Sequence, residues 1–309
     1  MIYNSMLELV GNTPIVKLNK IKEEYGLPSN LYAKLEMFNA SGSVKVRIAK
    51  NIIEDAMSKR VINQDTLIVE PTSGNTGVGL AFVCSCLGLN FMAVMPENMS
   101  IERRKLIKAY GGKVLLTPTE LGMQGSVDEV NRIKNDKDNV FVPSQFDNLL
   151  NPLTHEKYTG SELYNQMDGN IDILVCGIGT GGTITGLSRY LKKQKDIMII
   201  GVEPESSPLL TKGVIGSHKI EGIGANFIPK VLDKKVIDEI ITISDDLAYD
   251  GMRMLAEKEG IFVGISSGAA FMGALEIAKK LENKNIVVIL PDTGERYLSK
   301  ISDNDEWLC

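Results

Sequence analysis

Three short segments of this 309-residue chain concentrate the residue types that hold anions. The first is Gly177-Ile178-Gly179-Thr180-Gly181-Gly182-Thr183-Ile184-Thr185-Gly186, set between an apolar run ending at Cys176 and a helical run from Leu187 to Lys193. A glycine-rich turn there lets main chain approach an anion, and the helix start adds N–H donors and the positive end of the helix dipole. Gly177, Gly179 and Gly182 also spell G-x-G-x-x-G, and Glu203 ends the next strand, where a ribose-binding acid would stand. A terminal phosphate and a dinucleotide both fit this segment. The hydroxyls of Thr180, Thr183 and Thr185 suit the phosphate, because a pyrophosphate crossing a loop needs glycine more than hydroxyls.

The second segment, Glu70-Pro71-Thr72-Ser73-Gly74-Asn75-Thr76-Gly77, again follows a strand-like run and precedes a helix. Its hydroxyl, amide and backbone donors are the chemistry of a carboxylate site, and equally of an N-capping turn. The third, Ser41-Gly42-Ser43-Val44-Lys45-Val46-Arg47, puts Lys45 at the start of an amphipathic helix among small residues. A lone lysine is ordinarily a solvated charge, so position alone decides little. Histidine, the usual general base, is nearly absent: the chain has two. His155 in Thr154-His155-Glu156 reads as a capped helix start and His218 as a loop residue, and neither is assigned catalysis.

The elements that must position these segments alternate. Strand-like runs cover 30–35, 66–70, 90–95, 113–116, 171–176, 197–202 and 286–290; helical patterns cover 47–60, 78–87, 246–260 and 268–281. In the first of these helices Ile48, Ile52, Ala56 and Met57 share a face. Short apolar strands separated by helices predict parallel sheet covered on both faces, and the length predicts two such α/β domains. A net charge of −5 gives no electrostatic reason to expect nucleic acid or an anionic membrane as partner. No apolar run reaches the length of a membrane helix, and Met1 to Ser5 lack the pattern of a signal peptide, so a cytoplasmic place is expected. Cys84, Cys86, Cys176 and Cys309 have no metal-site spacing; they are expected to be inert thiols, Cys84 and Cys86 in a buried helix, and no metal is expected.

Together the segments resemble the cysteine synthase and cystathionine β-synthase family of fold-type II enzymes, which use pyridoxal 5′-phosphate. The resemblance runs from Val10-Gly11-Asn12-Thr13-Pro14 to Pro291-Asp292-Thr293-Gly294-Glu295-Arg296-Tyr297 and includes Gly264-Ile265-Ser266-Ser267-Gly268. It implies a tryptophan synthase β-like fold of two domains, each a mostly parallel twisted sheet flanked by helices. Residues 40–148 would form the smaller domain, with a mobile part that closes on substrate. Residues 1–39 and 149–309 would form the larger, with the cofactor in the cleft between them and a homodimer as the assembly. It also implies roles. Lys45 holds the cofactor as a Schiff base and acts as catalytic base. Gly179, Thr180, Gly181, Gly182 and Thr183 bind the phosphate, Asn75 the 3′-oxygen, and Ser266 faces the ring nitrogen. Thr72, Ser73, Asn75, Thr76 and Gln145 bind the substrate carboxylate, while Gly222 and Asn226 lie on the loop bordering the entrance.

The implied activity is β-replacement through α-aminoacrylate, by default O-acetyl-L-serine plus sulfide giving L-cysteine and acetate. Sulfide release from L-cysteine, giving serine or lanthionine, uses the same motifs. So does a minimal cystathionine β-synthase, since no room is expected for a regulatory domain. An NAD-binding oxidoreductase is the alternative of another class, and it predicts a ribose contact at Glu203. The chain departs from the family at Ala40 (commonly Pro), Val46 (commonly Asp) and Asn226 (commonly Gly). The first two are expected to repack the cofactor helix; Asn226 narrows the entrance, hydrogen-bonds a leaving group, nucleophile or water, or only tolerates a left-handed turn.

Overall fold

The computed structural model describes residues 1–301. Among them are ten strands: β1 (Ile15–Lys17), β2 (Asn30–Leu35), β3 (Leu67–Pro71), β4 (Asn90–Pro96), β5 (Lys113–Thr117), β6 (Val140–Phe141), β7 (Ile173–Gly177), β8 (Met198–Pro204), β9 (Glu239–Ile243) and β10 (Asn285–Leu290). Strands β1, β6 and β9 answer to no expected run. The first two are only three and two residues long, too short for a period to show. The chain divides into two compact units, Met1–Val10 with Asn39–Leu150, and Gly11–Phe38 with the described residues from Asn151 onward.

The first unit carries a four-stranded, wholly parallel sheet in the order β5-β4-β3-β6. Alternate side chains leave its two faces. Ile68, Phe91, Ala93 and Met95 pack under helices Lys45–Ser58, Asn75–Leu87 and Ile101–Ala109, while Val69 and Val94 pack under Val130 and Ile133 of helix Gly122–Asp136. Both faces are thus apolar, which is why the strands read as continuous runs. On the Lys45 helix Ile48, Ile52 and Ala56 are buried as the spacing predicts, and Ala49 and Ile53 widen the stripe. Residues 1–10 correct the expected boundary: they belong with this smaller unit. Leu7 enters its core, and Lys50 Nζ donates to Leu7 O at 3.0 Å.

The second unit carries six strands in the order β1-β2-β10-β7-β8-β9, parallel except that β1 runs antiparallel to β2. Ile173, Val175, Ile200, Val202 and Val288 face helices Asp245–Glu259 and Ile265–Lys280. Leu174, Cys176, Ile199, Val287 and Ile289 face helix Gly182–Gln194. The Gly11-Asn12-Thr13-Pro14 marker is an anchor within this unit. Lys34 on β2 is fully buried, and its Nζ donates to Thr13 O at 2.7 Å and Gln166 Oε1 at 2.6 Å and pairs with Glu162. Glu162 in turn accepts the N–H groups of Asn12 (2.9 Å) and Thr13 (3.0 Å), so a buried charge is paired and hydrogen-bonded as burial demands. No described helix is long and apolar enough to cross a membrane.

Cys84, Cys86 and Cys176 are free thiols; Cys309 lies outside the described residues. Burial pushes the Cys84 thiol up to about 12, which keeps it an unreactive hydrophobe. Cys86, expected inside, is exposed on the outer side of its helix.

One close approach sets the start of the Lys45 helix. A Cβ at Gly79 would lie 3.1 Å from Val46 N and 3.2 Å from the Lys45 carbonyl carbon, so any larger side chain there would press the Asn75–Leu87 helix against the Lys45 backbone. Gly79→Val is expected to destabilise the protein by about 2 kcal/mol through overpacking. The urea midpoint measures it; an unchanged midpoint would mean the Lys45 backbone yields freely.

Candidate active site

In the first unit the polypeptide leaves β3, turns through Thr72-Ser73-Gly74 and enters the helix at Asn75. Its Ncap is Gly74, and no side chain caps the start. The hydroxyls of the segment are therefore not a capping turn for this helix. Thr72 is buried and its Oγ1 accepts from Gly74 N at 3.3 Å, which tightens the turn. Thr76, also buried, donates from Oγ1 to Gln145 Oε1 at 2.6 Å, although the two are far apart in sequence. Ser73, Asn75 and Lys45 are half-buried, with Lys45 the first residue of its helix. The expected carboxylate loop and Gln145 are thus brought together within one unit, beside the helix that carries Lys45.

What holds Gln145 was not legible. Glu70, at the end of β3, is buried; its Oε2 accepts from Ser144 N at 2.9 Å and its Oε1 from Gln145 N at 3.0 Å. Ser144 adopts φ 56°, left-handed backbone that a non-glycine residue rarely takes. Burial raises the Glu70 carboxyl to about 7, against the lowering effect of those two N–H groups.

In the second unit the glycine-rich turn joins β7 to the Gly182–Gln194 helix, whose Ncap, Gly181, offers no side-chain cap. A Cβ at Gly179 would drive into the Gly222 carbonyl oxygen, so two main chains meet here because neither has a side chain in the way. Gly224 N donates to Ile178 O at 3.0 Å and fastens the second loop to the first. A Cβ on Gly222 would lie 3.3 Å from Ser266 Oγ. The structure thus groups Gly179, Gly222 and Ser266, the last near the start of helix Ile265–Lys280 and buried. Thr180 is buried, and its Oγ1 accepts from Asn151 Nδ2 at 3.1 Å and Gly182 N at 3.3 Å. Asn226, on the same loop as Gly222, is exposed. A 13-residue helix with an uncapped N-terminus, two bare main chains and threonine hydroxyls fits a phosphate group.

His155 is not at a capped helix start. It opens a wide, π-type turn over His155–Gly160, with no cap from Thr154. Its Nδ1 lies 3.0 Å from Thr159 Oγ1 and its Nε2 3.3 Å from Thr183 Oγ1, so it buttresses the glycine-rich loop. No local pattern joins these residues; only folding does. His218 Nε2 lies 3.1 Å from Gly224 O, beneath the second loop. The ribose role of Glu203 is overturned. Its carboxylate accepts from Leu210 N (2.8 Å), Thr211 N (3.0 Å) and Thr211 Oγ1 (2.5 Å), which closes the helix Leu209–Lys212.

An α/β architecture with a phosphate cradle at a strand–helix turn, a helix-start lysine and a carboxylate-type loop defines a cofactor-dependent enzyme of amino-acid chemistry. The chain belongs to the cysteine synthase branch of the pyridoxal-phosphate dependent enzymes. The model of the wider family, described as "Pyridoxal-phosphate dependent enzyme", matches residues 6–292. Among its relatives, cysteine synthase B of Campylobacter jejuni is 51% identical, over 96% of this chain and 98% of that one. The structure of a hydrogen sulfide-producing enzyme from Fusobacterium nucleatum superposes with a TM-score of 0.92 at 43% identity, covering 96% of this chain and all of the other. That of a cysteine synthase from Entamoeba histolytica gives 0.93 at 39%, covering all of this chain and 94% of the other. The cofactor is pyridoxal 5′-phosphate, and the NAD-dependent reading falls.

The Glu70 carboxyl carries a sign for stability. Its folded value lies above that of the free group, so its contribution is fully present below about pH 4.5 and is lost as pH rises through about 7. At about 1.4 kcal/mol per unit the loss comes to about 3 kcal/mol. Comparing wild type with Glu70→Gln in urea should show the variant gaining on wild type by that order between pH 4.5 and 8. Parallel pH curves would contradict it.

Proposed function

We propose that this chain is a cytoplasmic, homodimeric cysteine synthase that replaces the acetate of O-acetyl-L-serine with sulfide to give L-cysteine. The main support is the near full-length likeness to a cysteine synthase B. The fit of the second unit's glycine-rich turn to a phosphate agrees with it.

Bound pyridoxal 5′-phosphate supplies an electron sink for negative charge at the substrate Cα. Lys45 Nζ, from the first unit, would hold the cofactor and, as a free amine, would take the proton from the substrate Cα and return it. A lysine in this role explains why two histidines suffice. The Gly179-Thr180-Gly181-Gly182-Thr183 turn would hold the phosphate through N–H groups and hydroxyls. Asn75 would donate to the 3′-oxygen, and Ser266 would meet the ring nitrogen with a neutral hydroxyl, which would not hold that nitrogen protonated as a carboxylate would. Thr72, Ser73, Asn75, Thr76 and Gln145 orient the substrate α-carboxylate, so that the Cα–H points at Lys45. Gly222 and Asn226, on a loop of the second unit, would border the entrance. Val46, where the family commonly has Asp, is fully buried in the apolar core and is a packing substitution.

A second reading takes L-cysteine as donor and releases sulfide, with water or another cysteine adding at Cβ. It is favoured by the likeness to the Fusobacterium nucleatum hydrogen sulfide-producing enzyme. It also gains from the exposed amide of Asn226 on the entrance loop.

Lys45→Ala is expected to lose the absorbance near the visible edge and to lower turnover by about 10³-fold or more, as removal of a general base does; an unchanged spectrum would sink the assignment. In a product assay the purified enzyme should form cysteine from O-acetyl-L-serine and sulfide and release no sulfide from L-cysteine alone. The opposite pattern selects the second reading.

A further inference from the structure

We propose that Glu70 is a positioning residue for the substrate carboxylate: it holds the Ser144–Gln145 turn so that the Gln145 amide meets Thr76 in one orientation. This rests on the reading of Thr76 and Gln145 as carboxylate-binding residues.

The geometry begins with two consecutive N–H groups, Ser144 and Gln145, that point at the same buried place. Each oxygen of the Glu70 carboxylate accepts one of them, at 2.9 and 3.0 Å. A carboxylate offers two acceptor oxygens to such a pair; a glutamine offers one and sets an N–H donor against the other, and a hydroxyl has a single oxygen. The turn being held is not one the backbone adopts readily. Ser144 sits at φ 56°, and Asp147 N (3.0 Å) and Asn148 N (2.9 Å) both fold back onto its carbonyl. Without an external clasp, relaxation of Ser144 would carry Gln145 away from the helix start.

Downstream of the clasp, Thr76 Oγ1 donates to Gln145 Oε1 at 2.6 Å. Thr76 is fixed by the first turn of its helix and Gln145 by Glu70, so the amide oxygen is committed to Thr76 and the donor end, Nε2, is turned the other way. That is the polarity an α-carboxylate requires. Glu70 itself is 1% exposed, shielded from solvent beneath the loop it serves, so it acts through Gln145 rather than on substrate. It also stands one residue before Pro71 and two before Thr72. The strand end that clasps Gln145 thus continues directly into the rest of the carboxylate loop.

The test is a kinetic cycle on the holoenzyme at about pH 8.5, where the Glu70 carboxyl is ionised, with O-acetyl-L-serine as the varied substrate, using Glu70→Gln, Gln145→Ala and the double variant. Glu70→Gln is close to isosteric and removes the cost of burying a charge, which offsets the mismatch of its amide N–H, and its urea midpoint is measured beside the kinetics. Glu70→Asp, which keeps the charge but shortens its reach, is the second variant should the first be insoluble. The expected result is a KM raised about tenfold, the size of one hydrogen bond to a charged group, with kcat changed less than about threefold and the visible spectrum of the resting enzyme unaltered. In the Gln145→Ala background, Glu70→Gln should add no further change. A KM within about twofold of wild type for Glu70→Gln overturns the proposal. So does an equal rise in both backgrounds, since Glu70 would then act elsewhere. If Gln145→Ala alone leaves KM unchanged, what fails is the reading of the carboxylate site on which the proposal stands.

Discussion

The second unit depends on one close approach of two main chains. Gly179 and Gly222 come so near that a single Cβ would displace the carbonyl it faces, and the loops they belong to are further tied by Gly224 N to Ile178 O. A phosphate held by backbone N–H groups needs a bare surface of this kind, because any side chain would stand where the anion must sit. From that requirement follow the uncapped start of the Gly182–Gln194 helix, the position of Ser266 beside Gly222, and the threonines that supply hydroxyls without bulk.

Around this bare surface the chain spends its polar side chains on rigidity. Asn151 and His155 lie behind Thr180 and Thr183, within reach of their hydroxyls. Lys34, Glu162 and Gln166 bind the Gly11–Pro14 turn to the body of the unit through a network centred on the fully buried Lys34. Such networks are costly when incomplete, and this one gives Lys34 three partners. The first unit repeats the principle with Glu70, whose buried carboxyl closes a turn from the far end of the domain and orders the amide that faces Thr76.

Much of the candidate site was legible along the chain because its residues share short stretches of local backbone. Gly179, Gly181 and Gly182, and Thr72 to Thr76, each lie on one loop, so their spacing is itself the geometry. The strands of both sheet cores were equally plain, since a sheet buried on both faces leaves apolar runs such as Ile286–Leu290. The short partners β1 and β6 carry too few residues to show a period, and residues 1–10 join the smaller unit through the apolar side chains of Leu7 and Val10, which no pattern announces. Glu203 misled for a related reason. An acid at the end of the right strand suits a ribose, but whether its oxygens are already used depends on where Leu210 and Thr211 fold back.

By itself, then, the amino-acid sequence determined which strand–helix turns are built from glycines and hydroxyls, which lysine begins a helix, and that the strands run parallel under helices, because these properties depend on neighbours within a few residues. Tertiary structure alone decided that Gln145 meets Thr76, that Glu70 clasps Gln145, and that His155 stands behind Thr183. Those pairs are separated by long stretches of chain, and a hydrogen bond between them exists only once packing of the sheet faces has set both ends within its reach.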